Sequence, residues 1–383
     1  MLILLSDRFH GRLPELTGAP GLLDALTNLA LGHRAGAHIV SGPLRVLAEL
    51  IRALSGDAQG IFRQIKARHL DLGTLRDHVT HLVVVEPEAD AEVREERVGE
   101  QTRVHVPYTY FEDLGRAAPA RLIAEDRDDA TIYAVAAEGY VFRSPEVRGM
   151  CVALQTYGGG GQNMADALRD HARHGFTLCI ADSDRRWPGA PEGGTALGLR
   201  RARRELSRDH VIDVLVLPCH ELENLLPAQL VVDSLEPGDE RGFRAACLKA
   251  QGLGFLGAVA PLHHLDLKSG LRFRDVRDAA PRPPEQAFLA EVFEGHRGRA
   301  PVPAGGWCDG EPECADRDAC RCVLFEGLGG KVVQHVVKRV RAGLSPQKSA
   351  ECFFAGTLTC APAWVDLGRR IFSWGCAYKC ARA

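Results

Sequence analysis

Three groups of carboxylates stand directly after short apolar runs, and their types and spacing suit chemistry on phosphate. Glu125 follows Arg121-Leu122-Ile123-Ala124, with Asp129 four residues on. Asp182 and Asp184 follow Phe176-Thr177-Leu178-Cys179-Ile180-Ala181. Glu221 and Glu223 follow the run from Val211 to Leu217, within His220-Glu221-Leu222-Glu223-Asn224. Carboxylates gathered together raise one another's pKa unless a cation intervenes. Magnesium and manganese accept such hard oxygen ligands, and two such ions can clamp the attacking and leaving oxygens of a phosphodiester. Each group alone has a plainer reading. Glu125 and Asp129 suit a helix dipole, Asp182-Ser183-Asp184 suits a turn, and His220 to Asn224 suits an exposed helix start. Three acidic groups at three strand ends of one sheet make the metal reading the stronger one.

The elements that must position these residues alternate. Strands are expected at 121–124, 149–154, 176–181 and 211–217. Helices are expected after Glu125 through Ala137, from Met164 to His174 and from about Ala196 to Leu206. Short continuous apolar strands alternating with helices indicate an α/β fold, a parallel sheet flanked by helices. In such a sheet, ligands bind beyond the carboxyl ends of the strands. The run Gly158-Gly159-Gly160-Gly161 precedes a helix expected near Gln162 or Asn163, whose free amides could meet a phosphate. No Gly-Lys-Ser/Thr follows, so it is not a Walker motif, and a flexible connection is an equal reading. Arg200, Arg201, Arg203 and Arg204 form either a solvated face or a strand-backbone contact.

Residues 120–230 resemble a TOPRIM domain, the catalytic module of topoisomerases, bacterial primases and OLD-family nucleases. Leu122-Ile123-Ala124-Glu125 with Asp129 is similar to the family's strand, Glu, then Asp motif, departing from it in having Asp126 where glycine is common. Asp182-Ser183-Asp184 resembles its Asp-x-Asp motif. His220-Glu221-Leu222-Glu223-Asn224 resembles the Glu-x-Glu-Asn segment of OLD-like nucleases. The resemblance implies that Glu125, Asp129, Asp182 and Asp184 are metal ligands and that Glu221 or Glu223 completes the second metal position. Glu221 is preferred as nearer the strand end. Glu125 or a nearby carboxylate would orient the attacking water. It also implies a lysine beyond this segment, best matched by Lys268, which would neutralise charge on the scissile phosphate. A solvated surface lysine is the alternative for Lys268.

The chain has 383 residues, 45% apolar and 25% charged, with a net charge of −3. That composition suits a soluble globular protein with no global basic field, so a nucleic-acid enzyme of this kind would need a local basic face. Met1 to Leu5 reads as a buried strand rather than a signal peptide, because Asp7 and Arg8 stop the apolar run. A cytoplasmic protein without membrane spans is expected, with its 12 cysteines reduced. In the N-terminal region, Leu22, Leu23, Leu26, Leu29 and Leu31 form one helical stripe, and Leu44, Val46, Leu47, Leu50, Ile51 and Leu54 form another. His81 to Val85 reads as a strand, and no catalytic motif stands out before residue 118. Cys308, Cys314, Cys320 and Cys322 could wrap one structural zinc. Their five-, five- and one-residue intervals differ from common zinc ribbons, and an iron–sulfur cluster or free thiols remain alternatives.

These readings predict three parts: residues 1–117 of unassigned role, a TOPRIM-like catalytic domain at 118–235, and a cysteine-rich C-terminal region at 236–383. The expected function is a magnesium- or manganese-dependent endonuclease acting on DNA, in defence against phage or plasmids. An ATPase partner would be a separate polypeptide. The rival expectation is a catalytically inactive nucleic-acid-binding or assembly module of a defence complex.

Overall fold

A computed structural model of the chain describes residues 1–16, 18–234, 263–297, 322–354 and 361–378. It is an α/β protein with parallel and mixed sheets flanked by helices. By backbone proximity it divides into two compact units. The first holds residues 1–180, 198–215 and 365–383, and the second holds 181–197 and 216–364. This division differs from the three consecutive parts expected. Residues 1–117 share a unit with the strands that follow them, and the last helix and strand return to it.

The first unit opens with β1 (Leu2–Leu5), α1 (Leu22–Arg34), β2 (Ile39–Ser41), α2 (Leu44–Ala53), α3 (Gly56–Ala67) and α4 (Gly73–His78). Then come β3 (His81–Glu86), β4 (Arg94–Val98) and β5 (Gln101–Pro107). The sheet order is β2-β1-β3-β5-β4, with β4 alone antiparallel. Strands β1 and β3 are almost wholly apolar because helices cover them. Strand β4, Arg-Glu-Glu-Arg-Val, is exposed throughout, a charged edge of the kind that resists pairing with another chain. The buried stripe of α1 is Leu22, Ala25, Leu26, Leu29 and Ala30. Leu23 is exposed, because the i, i+3, i+4, i+7 face runs through the two alanines instead. Leu44 likewise faces solvent while Val46, Leu47 and Leu50 are buried.

The same unit continues with β6 (Ala120–Ala124), α5 (Arg127–Arg143), β7 (Met150–Val152), β8 (Leu154–Gly158), α6 (Met164–Ala172), β9 (Thr177–Ala181), α7 (Gly194–Leu206) and β10 (Ile212–Val216). The sheet order is β10-β9-β6-β8, with β8 and β9 both parallel to β6. The single strand expected at 149–154 is two strands. The chain switches partners at Ala153, whose amide donates to the Gly375 carbonyl at 2.7 Å. Before that point β7 pairs antiparallel with β13 (Cys376–Tyr378), and after it β8 joins β6.

The second unit contains α8 (Ala228–Ser234), β11 (Gly270–Arg272), α9 (Phe273–Asp278), α10 (Pro283–Arg297), β12 (Val323–Glu326), α11 (Val332–Arg341), α12 (Pro346–Phe354) and the first turn of α13 (Ala361–Gly375), whose remainder belongs to the first unit. Val332, Val333, Val336, Val337 and Val340 are buried along α11, as their spacing predicts. Ala279-Ala280-Pro281-Arg282-Pro283-Pro284 reads from its sequence as a linker or surface loop, yet Pro283 and Pro284 open α10, where a fixed φ and a missing N–H cost nothing. Among the described residues, no helix is long and apolar enough to cross a membrane.

Candidate carboxylate–lysine site

In the second unit, Lys268 sits between two of the expected carboxylates. Its Nζ lies 3.0 Å from Glu221 Oε2 and 3.2 Å from Glu223 Oε1. Local structure fixes both sides of this contact. After Val216 the chain turns through a short 3-10 helix, Leu222–Leu225, capped by Glu221. The Glu221 amide donates to Asn224 Oδ1 at 2.9 Å, and Asn224 Nδ2 donates to the Leu265 carbonyl at 2.9 Å. Fully buried Asn224 therefore ties the Glu-x-Glu turn to the segment that leads into Lys268. On the far side, the Gly329 amide donates to the Lys268 carbonyl at 3.0 Å. Gly327 must lack a side chain, since a Cβ there would stand 2.0 Å from that same carbonyl oxygen.

The electrostatics separate the two glutamates. Burial raises the Glu223 pKa to about 7, Glu221 adds to the rise, and Lys268 only partly opposes it. Glu221 is half-buried, and His220 and Lys268 beside it hold its carboxyl below the usual range against the desolvation that opposes them. Burial disfavours the Lys268 ammonium, yet the two carboxylates outweigh it and hold the lysine charged. The buried Cys219 thiol is pushed well up, first by desolvation and then by Asp182 and the glutamates. It is therefore no nucleophile at neutral pH.

Asp182 and Asp184 reach the same turn in different ways. Asp182 Oδ1 accepts the Leu222 amide at 3.0 Å, so this carboxylate caps the Glu-x-Glu turn. Ser183 is fully buried and its hydroxyl donates to the Cys219 carbonyl. The Asp184 amide donates to the His220 carbonyl at 3.0 Å, while its exposed side chain rides on a left-handed backbone with φ 53°. His220 Nε2 lies 3.2 Å from Glu221 Oε1. Its other ring nitrogen is buried without a hydrogen-bond partner among the described residues, and the ring lines a cavity of about 270 Å³ with His264, Arg186 and Arg282.

In the first unit, Glu125 follows β6 and is half-buried. Asp129 caps a helix: its Oδ2 accepts the Asp126 amide at 3.0 Å, at the start of α5. Asp126, where the TOPRIM resemblance leads one to expect glycine, is the N-cap of that helix. The glycine run packs against the end of β6. The Gly159 amide donates to the Ala124 carbonyl at 2.7 Å and the Gly160 amide to the Glu125 carbonyl at 3.0 Å. Those two amides are thus committed within the protein. Arg203, from the basic helix, pairs with Asp213 and Glu95 at 2.9 Å, while Arg200, Arg201 and Arg204 are its exposed arginines.

Among the described residues, no three of His, Cys, Asp or Glu converge to hold a metal ion. Cys308, Cys314 and Cys320 lie outside the described residues. Cys322 is buried at the start of β12, and its carbonyl accepts the Phe273 amide at 2.9 Å. Sequence reasoning passed over Asn224 and His220. The Asn three residues after Glu221 is a capping spacing that could have marked Asn224. No family model, curated protein or solved structure matches the chain.

Proposed function

We propose that this chain is a metal-dependent phosphodiester hydrolase, a nuclease acting on DNA, with Asp182, Asp184, Glu221, Glu223 and Lys268 in its site. The observation that carries this reading is Lys268 held 3.0 Å and 3.2 Å from Glu221 and Glu223. A carboxylate pair that one ammonium neutralises incompletely is a donor set with the chemistry of a divalent cation site. Such an ion, when bound, supplies Lewis acidity and an activated water. Glu125 and Asp129 enter this reading through the TOPRIM resemblance alone.

The chain's own residues would act as follows. Asp182 holds the turn that aims Glu221 and Glu223, and His220 orients Glu221. Lys268 offers a fixed positive charge to the scissile phosphate as negative charge develops on its oxygens. Glu223, which titrates near neutrality, can give up a proton when cations arrive. A role in defence against phage or plasmids, beside a separate ATPase, belongs to the same proposal.

A second reading has its own support. Asp182 and Asp129 each accept a backbone amide, as ordinary caps do. A catalytically inactive nucleic-acid-binding module would need no more. One experiment separates the two. Supercoiled plasmid is incubated with the protein and magnesium or manganese, and nicking and binding are both read on gels. Cleavage that Asp182→Asn and Glu221→Gln each abolish supports the hydrolase. Binding without cleavage supports the module, and neither would remove both readings.

A further inference from the structure

The first sheet carries a cleft that the carboxylate–lysine site does not involve. Strand β1 lies between β2 and β3, so the chain moves to one side of β1 and then returns to the other. At such a switch point a parallel sheet leaves a crevice outside its carboxyl ends. Here the cleft measures about 700 Å³ and is lined from β1 and the residues to Asp7 after it, the end of β2 through Pro43, β3, β5 and the segment His69–Asp77. That is within the range of about 300–1,000 Å³ usual for small-molecule sites.

Among the described residues, two buried polar atoms of the lining have no hydrogen-bond partner: Glu86 Oε2 and His69 Nδ1. Glu86 is 4% exposed. Its Oε1 is engaged by His105 Nδ1 at 2.7 Å. Arg8 stands 3.7 Å from Oε2, too far to bond it. A buried carboxylate oxygen left in this way costs free energy unless a donor reaches it. Leu2, Leu4 and Val84 give the cleft an apolar floor, and Arg76 and Arg103 stand toward its other end. Register sets the distance between the two ends. Arg103 pairs with Leu82, four residues before Glu86 on β3, so roughly 13 Å of strand separates cation from carboxylate.

We infer that this cleft binds a mononucleotide whose base carries an exocyclic amino group. The phosphate lies on Arg76 and Arg103, the base covers Leu4 and Val84, and the amine donates to Glu86 Oε2. His69 Nδ1 is left for a ribose hydroxyl. A ligand for this cleft needs an anion, a flat apolar middle and a terminal donor in line. A free amino acid is too short for that span, and a fatty acid lacks the donor. The inference is independent of the hydrolase reading.

The test is calorimetry on the full chain in EDTA, which silences any divalent-dependent site, with AMP, IMP and adenosine. AMP and IMP differ at the position of the amine. AMP is expected to bind at least about tenfold tighter than IMP, as a hydrogen bond to a charged group implies. Glu86→Gln should erase or reverse that preference, because the amide can donate to the IMP carbonyl. Glu86 is buried and its replacement risks the fold. Exposed Arg76→Ala gives the second reading: AMP affinity falls several-fold while adenosine is unchanged. No heat with any of the three ligands, equal affinity for AMP and IMP, or AMP binding unmoved by Arg76→Ala would each overturn the inference.

Discussion

Glu223 Oε1 lies 3.2 Å from Lys268 Nζ, yet Glu223 is pushed up to about 7, because burial and the neighbouring Glu221 outweigh a single ammonium. A carboxylate raised in the folded state adds stability that is complete below its ordinary pKa and disappears as pH rises through the raised value. For Glu223 the loss runs from about 4.5 to about 7. Glu221 has the opposite sign: its contribution is present above the ordinary carboxylate range and is lost as pH falls. Urea unfolding of wild type and Glu223→Gln across pH 4–8 reads the difference directly. The variant should gain on wild type as pH rises, and a flat difference would show that Glu223 is not so perturbed. If the site takes magnesium, binding at pH 6.5 should release protons, seen as a heat that depends on buffer ionisation enthalpy.

Lys268→Ala tests whether the ammonium serves the reaction or only the fold. A lysine that meets phosphate acts mainly on transition-state charge, so kcat should fall about a hundredfold or more. Metal affinity should hold or rise, since a cation competing for Glu221 and Glu223 has gone. Lys268→Arg restores charge without the compact geometry and should recover only part of the rate. Calorimetry showing lost metal affinity with unchanged turnover would assign Lys268 to metal binding instead.

The alternation of apolar strands and helices was legible from the sequence because buried parallel strands leave continuous apolar runs. The expected strand at 176–181 and the observed Thr177–Ala181 differ by one residue. The split at Ala153 was not legible. It depends on a carbonyl at Gly375, more than 200 residues away, that no local pattern announces. The family likeness singled out Lys268 as a site lysine meeting phosphate, but its contact with Glu221 and Glu223 was not expected, since spacing alone gives no reason to join Lys268 to a glutamate 45 residues before it. The cleft over β1 and β3 was not legible because its charged groups, Asp7, Arg76, Asp77, Glu86 and Arg103, are spread over four separate segments, and none forms a motif.

The cysteine segment is testable without its geometry. Four thiolates fill one tetrahedral shell, so about one zinc per chain is expected on elemental analysis. A segment poor in apolar residues leans on such a metal for its fold, and chelation should speed proteolysis near Cys308. An absorbance scan distinguishes an iron–sulfur cluster. Protein purified without chelator that carries neither metal would leave the cysteines as ordinary thiols.

Asp129 has two possible roles that one pair of substitutions separates. As a cap it accepts the Asp126 amide at 3.0 Å, and losing such a cap costs about 1 kcal/mol. Asp129→Asn keeps an acceptor for that amide but removes the charge, whereas Asp129→Ala removes both. If Asp129 only caps the helix, Asn should retain stability and cleavage, and Ala should lower thermal stability with little change in rate. If it is also a metal ligand, Asn should fold normally and cleave at a small fraction of the wild-type rate.

Asp184 offers the sharpest separation of structure from chemistry, because its backbone is strained and its side chain is exposed. A non-glycine residue at φ 53° sits in the left-handed region, where glycine would be easier by about 1 kcal/mol. Asp184→Gly should therefore unfold at a slightly higher temperature than wild type. If the carboxylate holds a metal, the same variant should lose magnesium-dependent cleavage, so stability and activity move in opposite directions. Gly193→Ala reaches the question from the other side. A Cβ at Gly193 would stand 2.0 Å from Asp184 Oδ2 and 2.6 Å from its Cβ, so Asp184 must shift while every carboxylate remains present. Lost cleavage in both variants, with the fold intact by circular dichroism, would make Asp184 part of the site. Full cleavage by Asp184→Gly would return Asp182-Ser183-Asp184 to its plainer reading, a turn that happens to be acidic.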